Sequence, residues 1–391
     1  MGKIASDRDS IGYFDRSDSL HLDRIADDMA QGIQFNVIRP KVVITIPAHN
    51  EAIVIGKCIE SLARQRTVLG DIDKDDFEVL ILCHNCTDAT KKIGLQTLNR
   101  FPDLNLIVLE TNRPEVNNVG AVRRVLMRIA RARIFDKPGY IAMTDADTVA
   151  HPFWVANILG YIGSGYGLIC GRIDINVKSV SPYAKKILAL KSRYSGLCIL
   201  LNDSISPDTF DPLPRHGDNS GPNMAVRADT YDYIGGMAPI GFCEDIDFYD
   251  RVVWGGYEVR HCPMAIVTTS GRCEPRAPWG FGAELGTWNG KDGNEPQVEG
   301  LEALLERSRI YALIRKYLAN DDKYVLWAAA RQSGIDRKRL VGHIQEYGTY
   351  RSLLHRLEKD LDVLESWGLR YPKIGIRRAC DELEDYLSLS S

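Results

Sequence analysis

The chain has 391 residues, room for one large domain with an accessory region or for two domains. A hydrophobic fraction of 45% and a charged fraction of 26% are ordinary for a water-soluble globular protein, and a net charge of −3 argues against a broad nucleic-acid-binding surface. No apolar run approaches the roughly 20 residues of a membrane span, and nine scattered cysteines, an odd number, favour a reducing cytoplasm over a disulfide framework.

Residues 1–36 are polar. The first residues carry no apolar signal core, and their Met1-Gly-x-x-x-Ser6 matches only the short myristoylation pattern. Leu22, Ile25 and Met29 fall at helical spacing, which predicts a short helix docking on the main body.

The pattern changes at Lys41. Val42–Ile46 is a continuous β-branched run, the signature of a strand buried on both faces. It leads through Pro47-Ala-His-Asn-Glu51 into a helix with Ile55, Ile59 and Leu62 on one face and Asn50 as the expected N-cap. The shape repeats: strand Phe77–Leu82, loop Cys83–Asp88, and a helix from about Ala89. A third strand, Leu104–Leu109, precedes Asn117-Asn-Val-Gly-Ala121 and a helix with Val125, Leu126 and Ile129. The fourth unit is Tyr140-Ile-Ala-Met-Thr-Asp-Ala-Asp-Thr-Val149, an apolar strand ending in two carboxylates one residue apart.

Strands alternating with helices imply a doubly wound α/β sheet, with ligands outside the carboxyl ends of its strands. Asn50, Glu51, His84, Asp88, Asp145 and Asp147 would gather there. Asp145 and Asp147 need a positive partner, and a divalent metal carrying phosphates is the leading candidate.

Residues 166–235 are more broken, with strands expected at Leu168–Arg172 and Asn223–Val226 and a loop over Ser204–Pro214. Gly235–Asp245 then precedes a helix with Phe248 and Val252. A second Gly-rich loop is expected over Ser270–Lys291. From about residue 299 the chain reads as helical, with Ile310, Leu313, Ile314, Tyr317 and Leu318, then Leu354, Leu357, Leu361 and Leu364, at helical spacing. The expected divisions are an N-terminal extension over 1–36, a catalytic domain over 37–298 and a helical region over 299–391. That region is suited to acceptor binding, to forming a homodimer or to covering the sheet.

Glu244-Asp245 is a second acidic pair. It reads as charge favoured at a helix N-terminus, or as a general base for an attacking hydroxyl. Cys83-His-Asn-Cys86 has redox spacing, but its cysteines read more simply as packing around His84-Asn85. His216 and His261 are candidate metal or phosphate ligands. Arg123 and Arg272 stand out by position, among Arg123, Arg124, Arg272 and Arg276, as phosphate partners. Trp279 and Trp288 suit either sugar stacking or anchoring of a lid.

Together these segments resemble family 2 glycosyltransferases, which have the A-type nucleotide-diphospho-sugar transferase (GT-A) fold. The ordered set is Val42–Glu51, Thr87-Asp88, Asp145-x-Asp147, Gly221-Pro-Asn-Met-Ala-Val-Arg227, Gly235-Gly236, Glu244-Asp245, Arg251 and Gly256-Tyr257, spanning roughly 40 to 275. Asn117–Arg123, His216–Asn219 and Thr268–Arg272 look closest to a bacterial subgroup without membrane segments. The resemblance implies a mixed, mostly parallel sheet flanked by helices, a nucleotide-diphospho-sugar donor, a hydroxyl acceptor and Mn2+ or Mg2+. Pro47, His49 and Glu51 would line the nucleotide pocket; His84 and Asp88 would face base and ribose. Asp145 would contact ribose or metal, Asp147 would hold the metal, Glu244 would orient the donor sugar and Asp245 would be the base. The second strand departs from the family by ending in Cys83-His84-Asn85 instead of an acid. The Q-x-x-R-W element of processive synthases is absent, which argues for single-sugar transfer. The competing readings are a nucleotidyltransferase, disfavoured because Pro47–Glu51 has neither Gly nor a basic residue, and a sugar-nucleotide-binding protein without catalysis, disfavoured by retention of both acidic pairs.

Overall fold

A computed structural model describes residues 16–33, 39–134, 138–272, 280–288 and 295–390. These residues fall into two compact units. The first takes in the described residues of Met1–Asn176, Asp218–Val252 and Tyr257–Gly271; the second takes in those of Val177–Gly217, Val253–Gly256 and Arg272–Ser391.

The first unit is built on an eight-stranded sheet. Helix α1 (Arg16–Gln31) is followed by β1 (Val42–Ala48), α2 (Ile55–Ala63), a two-residue hairpin β2 (Arg66–Thr67) and β3 (Gly70–Asp71), β4 (Phe77–His84), α3 (Thr90–Arg100), β5 (Leu106–Thr111) and α4 (Val119–Arg133). Then come β6 (Tyr140–Met143), β7 (Val149–Ala150), α5 (Trp154–Leu159) and β8 (Leu168–Asn176). After the second unit's α6 (Pro182–Ile205), the first resumes with β9 (Met224–Arg227), α7 (Ala228–Tyr233), α8 (Glu244–Trp254) and β10 (Val259–Ser270).

The strand order is β5-β4-β1-β6-β9-β8-β10-β7. The first four strands are parallel. Strand β9 runs antiparallel to both β6 and β8, β10 runs parallel to β8, and β7 is antiparallel to β10. This is the mixed, mostly parallel sheet expected. The chain winds outward from β1 through β4 to β5, then returns to lay β6 on the other side of β1. The winding therefore reverses between β1 and β6, where open α/β sheets bind ligands.

The β-branched run of β1 is buried because helices cover both sheet faces. Ile44, Ile46, Ile55, Ile59 and Leu62 share one fully buried cluster with Val79, Ile81 and Trp154. Each such side chain contributes about 1.5–3 kcal/mol on leaving water. Helix α4 starts at the Asn118 cap, whose side chain accepts from the Ala121 amide, and buries Val122, Val125, Leu126 and Ile129.

Several local expectations need correction. Asn50 does not cap α2: the capping position is Val54, without a side-chain cap bond, and Asn50 has φ +53°. Ser204 and Ile205 close α6 instead of opening a loop. Within the expected loop Ser270–Lys291, the described residues hold helix α9 (Phe281–Trp288). Strand β10 was not anticipated at all.

The second unit is mainly helical. Strand β11 (Gln297–Val298) pairs with β12 (Ile374–Gly375), and helices α10 (Leu301–Asn320), α11 (Lys323–Ser333), α12 (Arg337–Glu346), α13 (Tyr350–Val363), α14 (Glu365–Arg370) and α15 (Ile376–Ser390) complete it. Ile310, Ile314, Leu326, Leu340, Leu357 and Leu361 form its core. Trp288 is buried with Leu285 against Val180, Ala184 and Ile187, so it serves as an anchor; Trp279 and Arg276 lie outside the described residues.

Candidate active site

The carboxyl ends of β1 and β6 deliver the first acidic pair. Strand β6 stops at Met143, and the Thr144–Thr148 turn carries Asp145 and Asp147 over the sheet edge. Helix α4 begins at the same edge because it follows a parallel strand, so Arg123, in its second turn, reaches across. Its Nη2 donates to Asp145 Oδ1 at 2.6 Å and its Nε to Glu244 Oε1 at 3.2 Å. Glu244 and Asp245 open α8, so the two acidic pairs meet at a single guanidinium.

Asp245 is fixed from two sides. The Gly221 amide donates to Oδ2 at 2.8 Å, and the Ile246 amide donates to Oδ1 at 2.9 Å. Gly221 is required by space: a Cβ there would lie 2.8 Å from Arg123 Nη2.

The electrostatics follow from three carboxylates, Asp145, Glu244 and Asp245, around one cation. Burial pushes the Glu244 carboxyl above its ordinary range; Arg123 opposes this and Asp245 adds to it. Asp145 keeps 31% of its side-chain surface exposed, yet the surrounding protein raises its pKa, with Arg123 opposing and the charges of Asp147 and Asp245 adding. Burial works against the Arg123 charge, but Asp145, Glu244 and Asp245 outweigh it and hold the guanidinium more firmly protonated. Arg123 Nη1 is buried and has no hydrogen-bond partner among the described residues.

The loops after β1 and β4 form the neighbouring wall. His49 Nδ1 lies 2.9 Å from the His84 carbonyl, and the two imidazoles stand 5.1 Å apart. Burial, reinforced by His49, brings His84 down to about 4. Asn50 Oδ1 accepts from the Thr87 amide at 2.8 Å. Asp88 accepts the Ala52 amide at 3.1 Å, the Thr90 amide at 2.9 Å and the Thr90 hydroxyl. Those bonds outweigh desolvation and lower its pKa. Glu51 is buried, and its amide donates to Thr90 Oγ1 at 2.7 Å. The Cys58 thiol behind this wall is pushed up by burial and then by the charges of Asp147, Asp145 and Glu51. Pro47 is half-buried within β1.

Burial pushes the Cys83 thiol up to about 12, and Cys86 Sγ hydrogen-bonds the Ala48 carbonyl at 3.4 Å. A thiol so reluctant to ionise is no redox nucleophile. His261 is buried inside β10, with the Tyr249 ring 6.1 Å away. His216 and Arg272 belong to the second unit.

Among the described residues, no group of three or more His, Cys, Asp or Glu side chains is placed to hold a metal ion. Mg2+-like ions at phosphates are held by one or two carboxylates with substrate oxygens and water. Asp145 and Asp147 fit that requirement, and the upward pressure on Asp145 is what added positive charge relieves.

Residues 43–233 match the sequence profile described as Glycosyl transferase family 2. Glycosyltransferase AglE of Haloferax volcanii is 23% identical over 245 residues, 62% of this chain and 69% of that protein. The probable glycosyltransferase YdaM of Bacillus subtilis is 23% identical over 235 residues, 58% of this chain and only 50% of its own length. Among solved structures, the Pyrobaculum calidifontis mannosyltransferase PcManGT in complex with GDP-Man and Mn2+ covers 94% of this chain and 93% of its own, at 14% identity and a TM-score of 0.42. S. aureus TarS in complex with UDP-GlcNAc covers 82% and 92%, at 14% identity and a TM-score of 0.41.

Proposed function

We propose that the chain, whose residues 43–233 match the Glycosyl transferase family 2 profile, is a glycosyltransferase of that family and moves one sugar from a nucleotide-diphospho-sugar to an acceptor hydroxyl with inversion. The observation that carries this reading is the meeting of Asp145 and Glu244 on Arg123 at the reversal of the sheet.

Asp145 and Asp147 hold the cation side, and the loops bearing Pro47, His49, Glu51, His84 and Asp88 line the nucleotide side. Asp145 and Asp147 would hold Mn2+ or Mg2+, which when bound would supply charge neutralisation for the departing diphosphate. Asp245 takes the proton from the attacking hydroxyl, on the face opposite the leaving group. Its two backbone donors set the direction of the carboxylate while leaving lone pairs to accept a proton. Glu244, held by Arg123, orients the donor sugar. No helix among the described residues is long and apolar enough to cross a membrane. The division into a 1–36 extension, a 37–298 catalytic domain and a 299–391 helical region remains part of this proposal.

The test is a panel of UDP-glucose, UDP-N-acetylglucosamine and GDP-mannose with Mn2+ or Mg2+, read by thermal shift and by release of nucleoside diphosphate. A bound donor at 100 times its Kd stabilises by about 2.7 kcal/mol. Asp147→Ala is expected to abolish the metal-dependent part of that shift and the turnover. Unchanged turnover in this variant would overturn the assignment.

A further inference from the structure

The segment leading into Glu244-Asp245 is held by its backbone. Arg251 Nη1, on α8, donates to the Ile234 carbonyl at 2.8 Å and the Gly236 carbonyl at 2.6 Å. Arg124 Nη1, on α4, donates to the two alternate carbonyls, Gly235 at 3.1 Å and Met237 at 2.8 Å. Two guanidinium groups thus clasp four consecutive carbonyls. Gly235 and Gly236 both have φ +79°, a conformation that glycine adopts without strain. Further along, the Gly120 amide donates to the Ile240 carbonyl at 3.2 Å, and a Cβ at Gly120 would strike the Ala238 and Ile240 backbone. The path from Ile234 to Glu244 is therefore fastened to the first turns of α4, the helix that also carries Arg123.

Arg124 is itself braced from the other side. Its Nε and Nη2 both stand 2.8 Å from the Asp23 carboxylate on α1, and Nε lies 3.2 Å from the Ser19 carbonyl. A bidentate carboxylate fixes the plane of a guanidinium. Here that plane decides whether the remaining nitrogen faces the 235–237 carbonyls. Arg124 is 6% exposed, so water does not replace a lost partner cheaply. One turn along the same helix pair, Asp27 and Arg128 form an ion pair at 2.9 Å with side chains 48% and 44% exposed, outside this clasp.

We infer that Arg124 is a positioning residue for Glu244-Asp245, with α1 as its brace: Asp23 orients the guanidinium, the guanidinium orders residues 234–243, and that order sets the catalytic pair. The inference rests on the functional reading above for its catalytic consequence, but its structural half is measured without any ligand.

The experiment is backbone hydrogen exchange on the unliganded full chain, beside steady-state kinetics with whichever donor of the panel turns over. Asp23→Ala is expected to speed exchange across 234–243 at least tenfold. It should also lower kcat about tenfold and leave the donor KM within twofold. Arg124→Lys keeps the charge opposite Asp23 but not the planar fork, so it should show the same loop exchange and kcat loss with α1 still protected. Asp27→Ala should leave loop exchange and kcat within twofold of the parent chain. Loop exchange unchanged in both Asp23→Ala and Arg124→Lys overturns the inference, as does an equal effect from Asp27→Ala. A loop that loosens as expected in a chain that turns over no donor of the panel sinks the functional reading and leaves the brace standing.

Discussion

The Gly221 amide donates to Asp245 Oδ2 at 2.8 Å, with the Arg123 guanidinium packed against the same glycine. One backbone position thus aims the proposed base and makes room for the cation that joins the two acidic pairs. The direction of the Asp245 carboxylate follows from this contact and from the Ile246 amide on its other oxygen.

Asp245→Asn tests the base directly. The amide oxygen still accepts from Gly221, so the fold should hold, but the proton acceptor is gone. We expect kcat to fall by about 10²–10⁴ with donor KM nearly unchanged, read by nucleoside diphosphate release. A loss below about fivefold assigns proton removal to another group.

Gly221→Ala tests the packing. The added methyl meets a guanidinium that has nowhere to retreat, since Nη2 and Nε are committed to Asp145 and Glu244. Overpacking of this kind costs about 1–3 kcal/mol. Urea denaturation should show that loss, and turnover should fall with it. Parent-like stability and turnover together would mean that Arg123 relaxes without consequence.

Glu244→Gln tests the electrostatics. The Glu244 carboxyl is raised above its ordinary 4.5, by burial first. A carboxyl raised by folding binds more protons in the folded chain than in the unfolded one. Its contribution is therefore complete below about pH 4.5 and is lost as pH rises through the raised value. The variant lacks this loss. Its stability relative to the parent should improve between pH 4.5 and pH 8 in urea titrations, and a relative decline over that range contradicts the assignment.

His84 gives the opposite sign. Brought down to about 4 by burial and His49, it is neutral throughout physiological pH. The folded chain binds fewer protons at this site than the unfolded chain between pH 4 and 6.5, so its contribution to stability is lost as pH falls through that window. Histidine ring signals in an NMR titration should show one imidazole still neutral at pH 5; a His84 midpoint near 6.5 would refute this.

The parallel half of the sheet was legible in the sequence because each strand is a short apolar run closed by polar turn residues, and β1 and β6 have little else to be. The acidic pairs were legible as pairs. Their meeting was not, because Arg123 lies 22 residues from Asp145 and 121 from Glu244, and a sequence pattern carries no such distance. Arg123 reads in the sequence as a phosphate partner, and the structure adds its bonds to Asp145 and Glu244. Strand β10 escaped notice because Arg260 and His261 are polar yet buried, and the register shift between Cys262 and Ile266 breaks the period of two. Helix α6 escaped because its apolar and polar residues are spread around the cylinder without a stripe. The bond of Arg124 to Asp23 had no signal at all: surface-looking charges a hundred residues apart acquire meaning only when two helices are laid together.

The antiparallel strand β9 has a practical consequence for anyone cutting this chain. It is the shared neighbour of β6 and β8, and it reaches them only after the chain has left the sheet for α6 and come back. During synthesis, β6 and β8 therefore wait with open edges, the condition under which strands pair with the wrong partner. A fragment trimmed to the recognisable stretch at residue 233 keeps β9 but discards β10 and Asp245, leaving one flank of β8 bare. Such a fragment should aggregate on expression, whereas one carried through Gly271 closes that flank.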